Sequence, residues 1–260
     1  MDVLLAFLLR LAGGLAAGMA VLPARQVTSG YYRNNLYVLL GCHLLAGLAA
    51  WRLKTPAAAW CATGAVLSYL GAVCWLYEQR RAGRLALWLL AAIALAGAWT
   101  AQRPWQYQVA GHVSSAGARN VQLAAALRWC EAPLSGALVG GSVAAMLLGH
   151  WYLNAPGMQL APLVRLLRWL LACVVLRAAA SAVSAWAAWG LGVPAGEAWF
   201  LALRWGIGLA GTLVLLVMAG RSLGVPNTQS ATGILYVAVI AAFAGELLAL
   251  LLAGRHAFAL

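Results

Sequence analysis

Six ionisable residues interrupt stretches of this chain that are otherwise apolar: Arg10, Arg128, Glu131, Arg177, Arg204 and Glu246. A charge inside a low-dielectric layer is costly, so each one marks a candidate site by default. Arg128 and Glu131 are spaced to share one face of a helix. At a rise of about 1.5 Å per residue, all six fall in the same half of such a layer. If their helices are neighbours, two carboxylates come within reach of several guanidinium groups. Two kinds of chemistry follow. Glu246 can exchange a proton whose affinity a neighbouring arginine tunes. Alternatively the charges form stable pairs that keep one another out of lipid, which the excess of arginine favours.

A second polar group gathers at the opposite end of the expected helices. His150, Trp151 and Tyr152 close one helix, Arg165 and Arg168 open the next, and Asn227 and Gln229 sit in a later loop returning to that side. These side chains offer donors for the carbonyl oxygens of a quinone headgroup and rings for its flat face. The imidazole could move a coupled proton near neutral pH. The same set suits an anionic headgroup or another subunit, and a Trp-Tyr pair at a helix end is also an interface anchor.

Other chemistry finds little support. Of the four histidines, His43, His112, His150 and His256, only His43 lies within an expected span. A bis-histidine haem needs two imidazoles facing each other, so haem is not expected and His43 is its one candidate ligand. No HExxH and no closed His/Cys spacing points to a metal. The five cysteines occur without a CxxC pair inside apolar stretches, where a thiol behaves as a small hydrophobe. There is no Walker loop and no GxSxG elbow, and Asp2 is the one aspartate, so no self-sufficient catalytic motif is present.

The elements that must position these groups follow from composition. The 260 residues are 65% hydrophobic and 8% charged, with mean hydropathy +0.87. Soluble domains carry about 25% charged residues, and disordered chains are poor in apolar ones. Both classes are excluded. The expectation is an all-α, polytopic membrane bundle forming a single transmembrane domain over 1–260. Spans of about 20 apolar residues fall at roughly 3–22, 35–51, 57–77, 85–101, 130–149, 162–188, 198–220 and 231–253, with an alternative, earlier start of the fifth helix near Asn120. The first reads as a retained helix, since it lacks a basic leader and carries Arg10 within the run. The polar stretch 102–119 cannot span, and its Trp105 and Tyr107 suit a headgroup layer.

Smaller patterns refine this picture. Gly14 and Gly18, and Gly136 and Gly140, are spaced for close helix packing. Pro133 is a candidate helix break of the kind transporters use. A Leu-Arg-Trp triplet recurs at 127–129, 167–169 and 203–205, read as arginine snorkelling beside an interfacial indole. The net charge of +12 is scattered, with no basic run longer than Arg80-Arg81, so cationic anchoring to anionic lipid is expected and nucleic acid is not. Asp2 before the first helix and Arg25 and Arg33 after it favour an outside N-terminus. Lys54 is the one lysine among 17 basic residues, a bias that with abundant Ala, Gly and Trp suggests a bacterial inner membrane.

The span count is similar to that of membrane subunits of quinone-linked oxidoreductases of the polysulfide and nitrite reductase type, a likeness in number alone. The expected function is an integral membrane subunit or anchor of a larger complex, with quinone-linked electron transfer, its redox centres carried by partner subunits. The alternatives are a small transporter or channel that uses the intramembrane Glu and Arg groups, and a purely structural membrane subunit.

Overall fold

The computed structural model describes residues 2–101, 115–155, 157–189, 198–225 and 227–253. The described residues are helical without strands, and eight of their helices are long and apolar enough to cross a membrane. These are α1 (Asp2–Val21), α2 (Ser29–Arg52), α3 (Ala57–Leu76), α4 (Arg80–Thr100), α5 (Ser115–Asn154), α6 (Ala161–Trp189), α7 (Ala198–Leu223) and α8 (Thr228–Ala253). Long side chains such as Leu45, Leu48, Val66, Trp88 and Ile240 are exposed on the outer faces. An apolar perimeter of this kind has lipid as its solvent. The protein is a multi-pass membrane protein.

The helices form two rings of four. In the first, α1 packs on α2, α2 on α3, α3 on α4 and α4 back on α1; in the second, α5 packs on α6, α6 on α7, α7 on α8 and α8 back on α5. The rings meet along α1 and α5, whose apolar spans are each 72% buried, against 28% for α7. Residue numbers rise together along this seam: Gly14 lies on Gly136, and Gly18 on Gly141 and Ala144. The two helices are therefore parallel, and both rings run the same way through the bilayer. The α1–α2, α3–α4, α5–α6 and α7–α8 connections all lie on one side, the connection face; the start of α1 and the end of α8 lie on the other, the terminal face.

The two glycine pairs singled out from the sequence make this seam. A Cβ at Gly14 would run into the backbone of Gly136, one at Gly136 into the Arg10 carbonyl, and one at Gly140 into the backbone of Leu11 and Leu15. Lipid supplies no hydrophobic drive between helices, so close backbone packing is what joins them. Near the connection face the Tyr31 hydroxyl on α2 donates to the Ala144 carbonyl on α5 at 2.9 Å.

Three boundaries and one break differ from expectation. The α2 helix begins at Ser29, not near 35, because Tyr31 and Tyr32 are fully buried; Tyr32 stacks flat on Trp75 at 3.9 Å. The α4 helix begins at Arg80, not near 85, with Arg80, Arg81 and Arg84 exposed on its first turns. The α5 helix begins at Ser115, a few residues before even the earlier start near Asn120, and runs unbroken through Pro133. Proline leaves the carbonyl four residues earlier without its donor, and here the Trp99 indole N–H supplies one to the Trp129 carbonyl at 3.2 Å. The irregularity lies instead in α7, where Arg204–Gly211 is a π-helical segment. Segment 102–114, with Trp105, Tyr107 and His112, lies outside the described residues, as does His256.

Gly140→Val is expected to lower stability by about 3 kcal/mol or more, since overpacking here meets backbone and not a movable side chain. Gly41→Ala, at a position where a Cβ meets nothing within 4 Å, is expected to be neutral or slightly stabilising. Thermal unfolding of the detergent-solubilised protein compares the two.

Candidate functional site

The glycine seam brings one turn of α1 against α5, and Arg10 lies on that turn. A second close approach, Gly208 of α7 on Gly245 of α8, brings the helix carrying Arg204 against the residue preceding Glu246. Arg177 and Ser181 are one turn apart on α6, on the same face. Five charged side chains thereby converge, Arg10 reaching from α1 to Glu131, Arg177, Arg204 and Glu246 of the second ring, each no more than 5% exposed.

Their geometry is that of an interlocked network. Arg10 Nη1 donates to Glu246 Oε1 at 2.5 Å and lies 3.8 Å from Glu131 Oε1. Arg177 Nη2 donates to Glu131 Oε1 at 3.2 Å and lies 3.6 Å from Glu246 Oε2, while its Nη1 reaches the Glu131 carbonyl at 3.5 Å. Each carboxylate thus faces two arginines, and Arg10 and Arg177 each bridge two carboxylates. Arg204 stands beside this square; its Nη2 donates to Ser181 Oγ at 2.9 Å. Among the described residues, three guanidinium groups against two carboxylates leave one excess positive charge in the interior. Arg204 Nη1 and Arg10 Nε have no hydrogen-bond partner among the described residues.

A cavity of about 10 Å³ adjoins the network, lined by Arg177, Arg204, Glu246 and the Gly208–Gly245 contact together with Leu138, Val139, Leu209 and Ala242. That space accommodates about one water molecule. The π segment starts at Arg204 itself. Such segments recur at functional sites, and Gly208 within it makes the close approach to Gly245.

Of the six intramembrane charges singled out from the sequence, the structure brings five together. The side chain of Arg128 lies outside the described residues. Arg204 does not snorkel: it turns inward, whereas Arg168 of the equivalent Leu-Arg-Trp triplet is exposed. The difference is packing, since Ser181 and the two carboxylates give Arg204 an interior partner set. Ser181 was not anticipated; its place one turn beyond Arg177 was the available signal.

The second group does not converge in the same way. Tyr152 is buried and its hydroxyl donates to the Gln159 carbonyl at 2.5 Å. Trp151 packs edge-on against Tyr31, ring centres 6.3 Å apart. Asn227 Oδ1 accepts from the Ser230 backbone N–H at 2.9 Å, capping α8. His150, Arg165, Arg168 and Gln229 are exposed, and His150 Nδ1 lies 3.4 Å from the Tyr236 hydroxyl. His43 is buried, its Nδ1 bonded to the Leu39 carbonyl at 2.8 Å. Its Nε2 edge rests on Gly64, where even a methyl group would collide with it, so a macrocycle has no room on that nitrogen. Among the described residues no group of three or more His, Cys, Asp or Glu could hold a metal.

No family model matches the chain, and comparison with curated proteins and with solved structures finds no match either.

Arg10→Ala is expected to destabilise the protein by about 3–5 kcal/mol, because it leaves Glu246 buried without its closest cation. Arg10→Met combined with Glu246→Met is expected to cost less than Arg10→Ala alone. Chemical unfolding in detergent, run as a double-mutant cycle, measures both.

Proposed function

We propose that this multi-pass membrane protein carries a small monovalent anion across the bilayer, with the buried ionic network as its binding centre. The observation that carries the reading is the excess positive charge among the described residues at Arg204, whose Nη1 has no hydrogen-bond partner among them and which lines a cavity inside the second ring. A cation in excess of the carboxylates beside it is expensive in a low-dielectric interior, and an entering anion relieves it. The two carboxylates occupy Arg10 and Arg177, which keeps the attraction at Arg204 strong enough to bind and weak enough to release.

The arrangement of the rings supports the same reading. Two units of equal helix number running in one direction, joined by a buried ionic network, are an arrangement also found in transporters built from parallel repeats. The cavity has room for about one water, so passage requires the second ring to shift. The π segment of α7 is suited to that movement, because its backbone bonds are less regular than those of the flanking turns.

A second reading rests on the exposed His150 and Tyr236, 3.4 Å apart on the connection face, the side on which Arg165 and Arg168 also lie. It makes the chain a quinone-linked membrane subunit of a larger bacterial inner-membrane complex whose partners hold the redox centres. Co-purification of a redox subunit and bound quinone from native membranes would favour it.

Proteoliposomes loaded with chloride, nitrate or formate test the main reading. Protein-dependent flux is expected, lowered about tenfold or more by Arg204→Gln, a variant that removes the excess charge and leaves the four-member square intact. Flux no greater than in protein-free vesicles, or unchanged in Arg204→Gln, overturns it.

A further inference from the structure

On the connection face, a cleft of about 520 Å³ opens between the α1–α2 connection and the first turns of α4, lined by Pro23, Ala24, Arg25, Gln26, Arg80, Arg81 and Arg84. We propose that this cleft is a binding site for a phosphate-bearing anion. Four guanidinium groups from two separate segments converge on it. Guanidinium donors match phosphate oxygens in pairs, which a lysine ammonium cannot do. The start of α4 adds the positive end of its dipole.

The one carboxylate beside the cleft is already engaged. Ser29 donates to Glu78 Oε1 at 2.5 Å, and Arg80 Nη2 reaches Glu78 Oε2 at 3.4 Å. The Ser29 hydroxyl, and then Arg80, hold the Glu78 carboxyl below the usual carboxylate range. It is therefore ionised at neutral pH and occupies one edge of Arg80, leaving Arg25, Arg81 and Arg84 for a ligand.

Behind the residues that line the cleft lie two buried aromatic donors. Tyr32 is fully buried and its hydroxyl has no hydrogen-bond partner among the described residues, yet that hydroxyl lies within electrostatic reach of Arg84 and Arg80. Trp75, stacked under Tyr32 at an interplanar angle of 6°, also has an unpartnered, buried indole N–H, set against Gly83 on the first turn of α4. Buried donors without acceptors are rare, because each forfeits its hydration. The Tyr32 hydroxyl, within reach of two of the cleft arginines, lacks an acceptor oxygen. A phosphate group supplies several such oxygens together with the negative charge.

Phosphate can reach the cleft from the membrane plane as a lipid headgroup or from water as a free anion, and two arms separate the sources. The full chain in phosphatidylcholine nanodiscs is titrated with inorganic phosphate by calorimetry. In parallel, native mass spectrometry counts phosphatidylglycerol retained from mixed vesicles after a detergent wash. Saturable binding of one equivalent in either arm is expected and identifies the source. Arg80→Gln with Arg84→Gln should weaken it about tenfold or more. Tyr32→Phe keeps the stack on Trp75 and should weaken it several-fold, whereas Arg221→Gln, an exposed arginine on the same face outside the cleft, should change it less than twofold. Three results each overturn the proposal: no saturable binding in either arm, an Arg221→Gln effect equal to that of the double variant, or Tyr32→Phe binding as the unmodified chain does.

Discussion

Placing ions in an interior that water does not reach is the constraint around which this protein is arranged. Each buried guanidinium or carboxylate must recover, from its neighbours, the solvation lost on leaving water. The network does this by sharing: Glu131 and Glu246 each lie between Arg10 and Arg177, so no single pair bears the full cost. Sharing demands that α1, α5, α6 and α8 approach one another closely at one depth. The glycines provide that approach. Gly14, Gly136 and Gly140 let α1 sink against α5, and Gly208 and Gly245 do the same for α7 and α8. A larger side chain at any of these sites would separate the charges as well as the helices, so packing and electrostatics are not independent here.

Lipid as solvent explains why the rings hold together with little polar bonding elsewhere. Within each helix the backbone satisfies itself, and where it cannot, a side chain intervenes, as Trp99 does for the carbonyl freed by Pro133. Among the described residues, hydrogen bonds join the two rings at two levels. Tyr31 to the Ala144 carbonyl ties the rings near the connection face, and the ionic network ties them deeper. The weaker burial of α7, its π segment and its place at the edge of the network make it the helix with least to lose by moving.

The two faces differ in how they treat arginine. On the connection face Arg25, Arg80, Arg81 and Arg84 are exposed around one cleft with aromatic rings behind it. Inside the bilayer three arginines turn inward. The same residue type thus serves surface charge in one place and internal architecture in another, and what decides between them is whether an acceptor waits on the inner side.

Much of this was legible in the sequence. Long apolar runs in a chain so poor in charge leave helices as the spanning element, and the positions of those runs locate all eight. The glycine spacings identify packing faces, and the rarity of charge in the spans marks Arg10, Glu131, Arg177, Arg204 and Glu246. Boundaries at Ser29 and Arg80 were hidden, because tyrosines and arginines read as loop until Trp75 and the cleft give them a setting. Pro133 carried the local signature of a break and α7 did not, since a proline's effect depends on a donor from another helix. Which glycine face meets which, and therefore whether five scattered charges form one network, was decided by tertiary structure alone. Hydropathy is a property of each segment by itself, whereas an ion pair depends on the distance between two segments, and one sequence holds no measure of that distance.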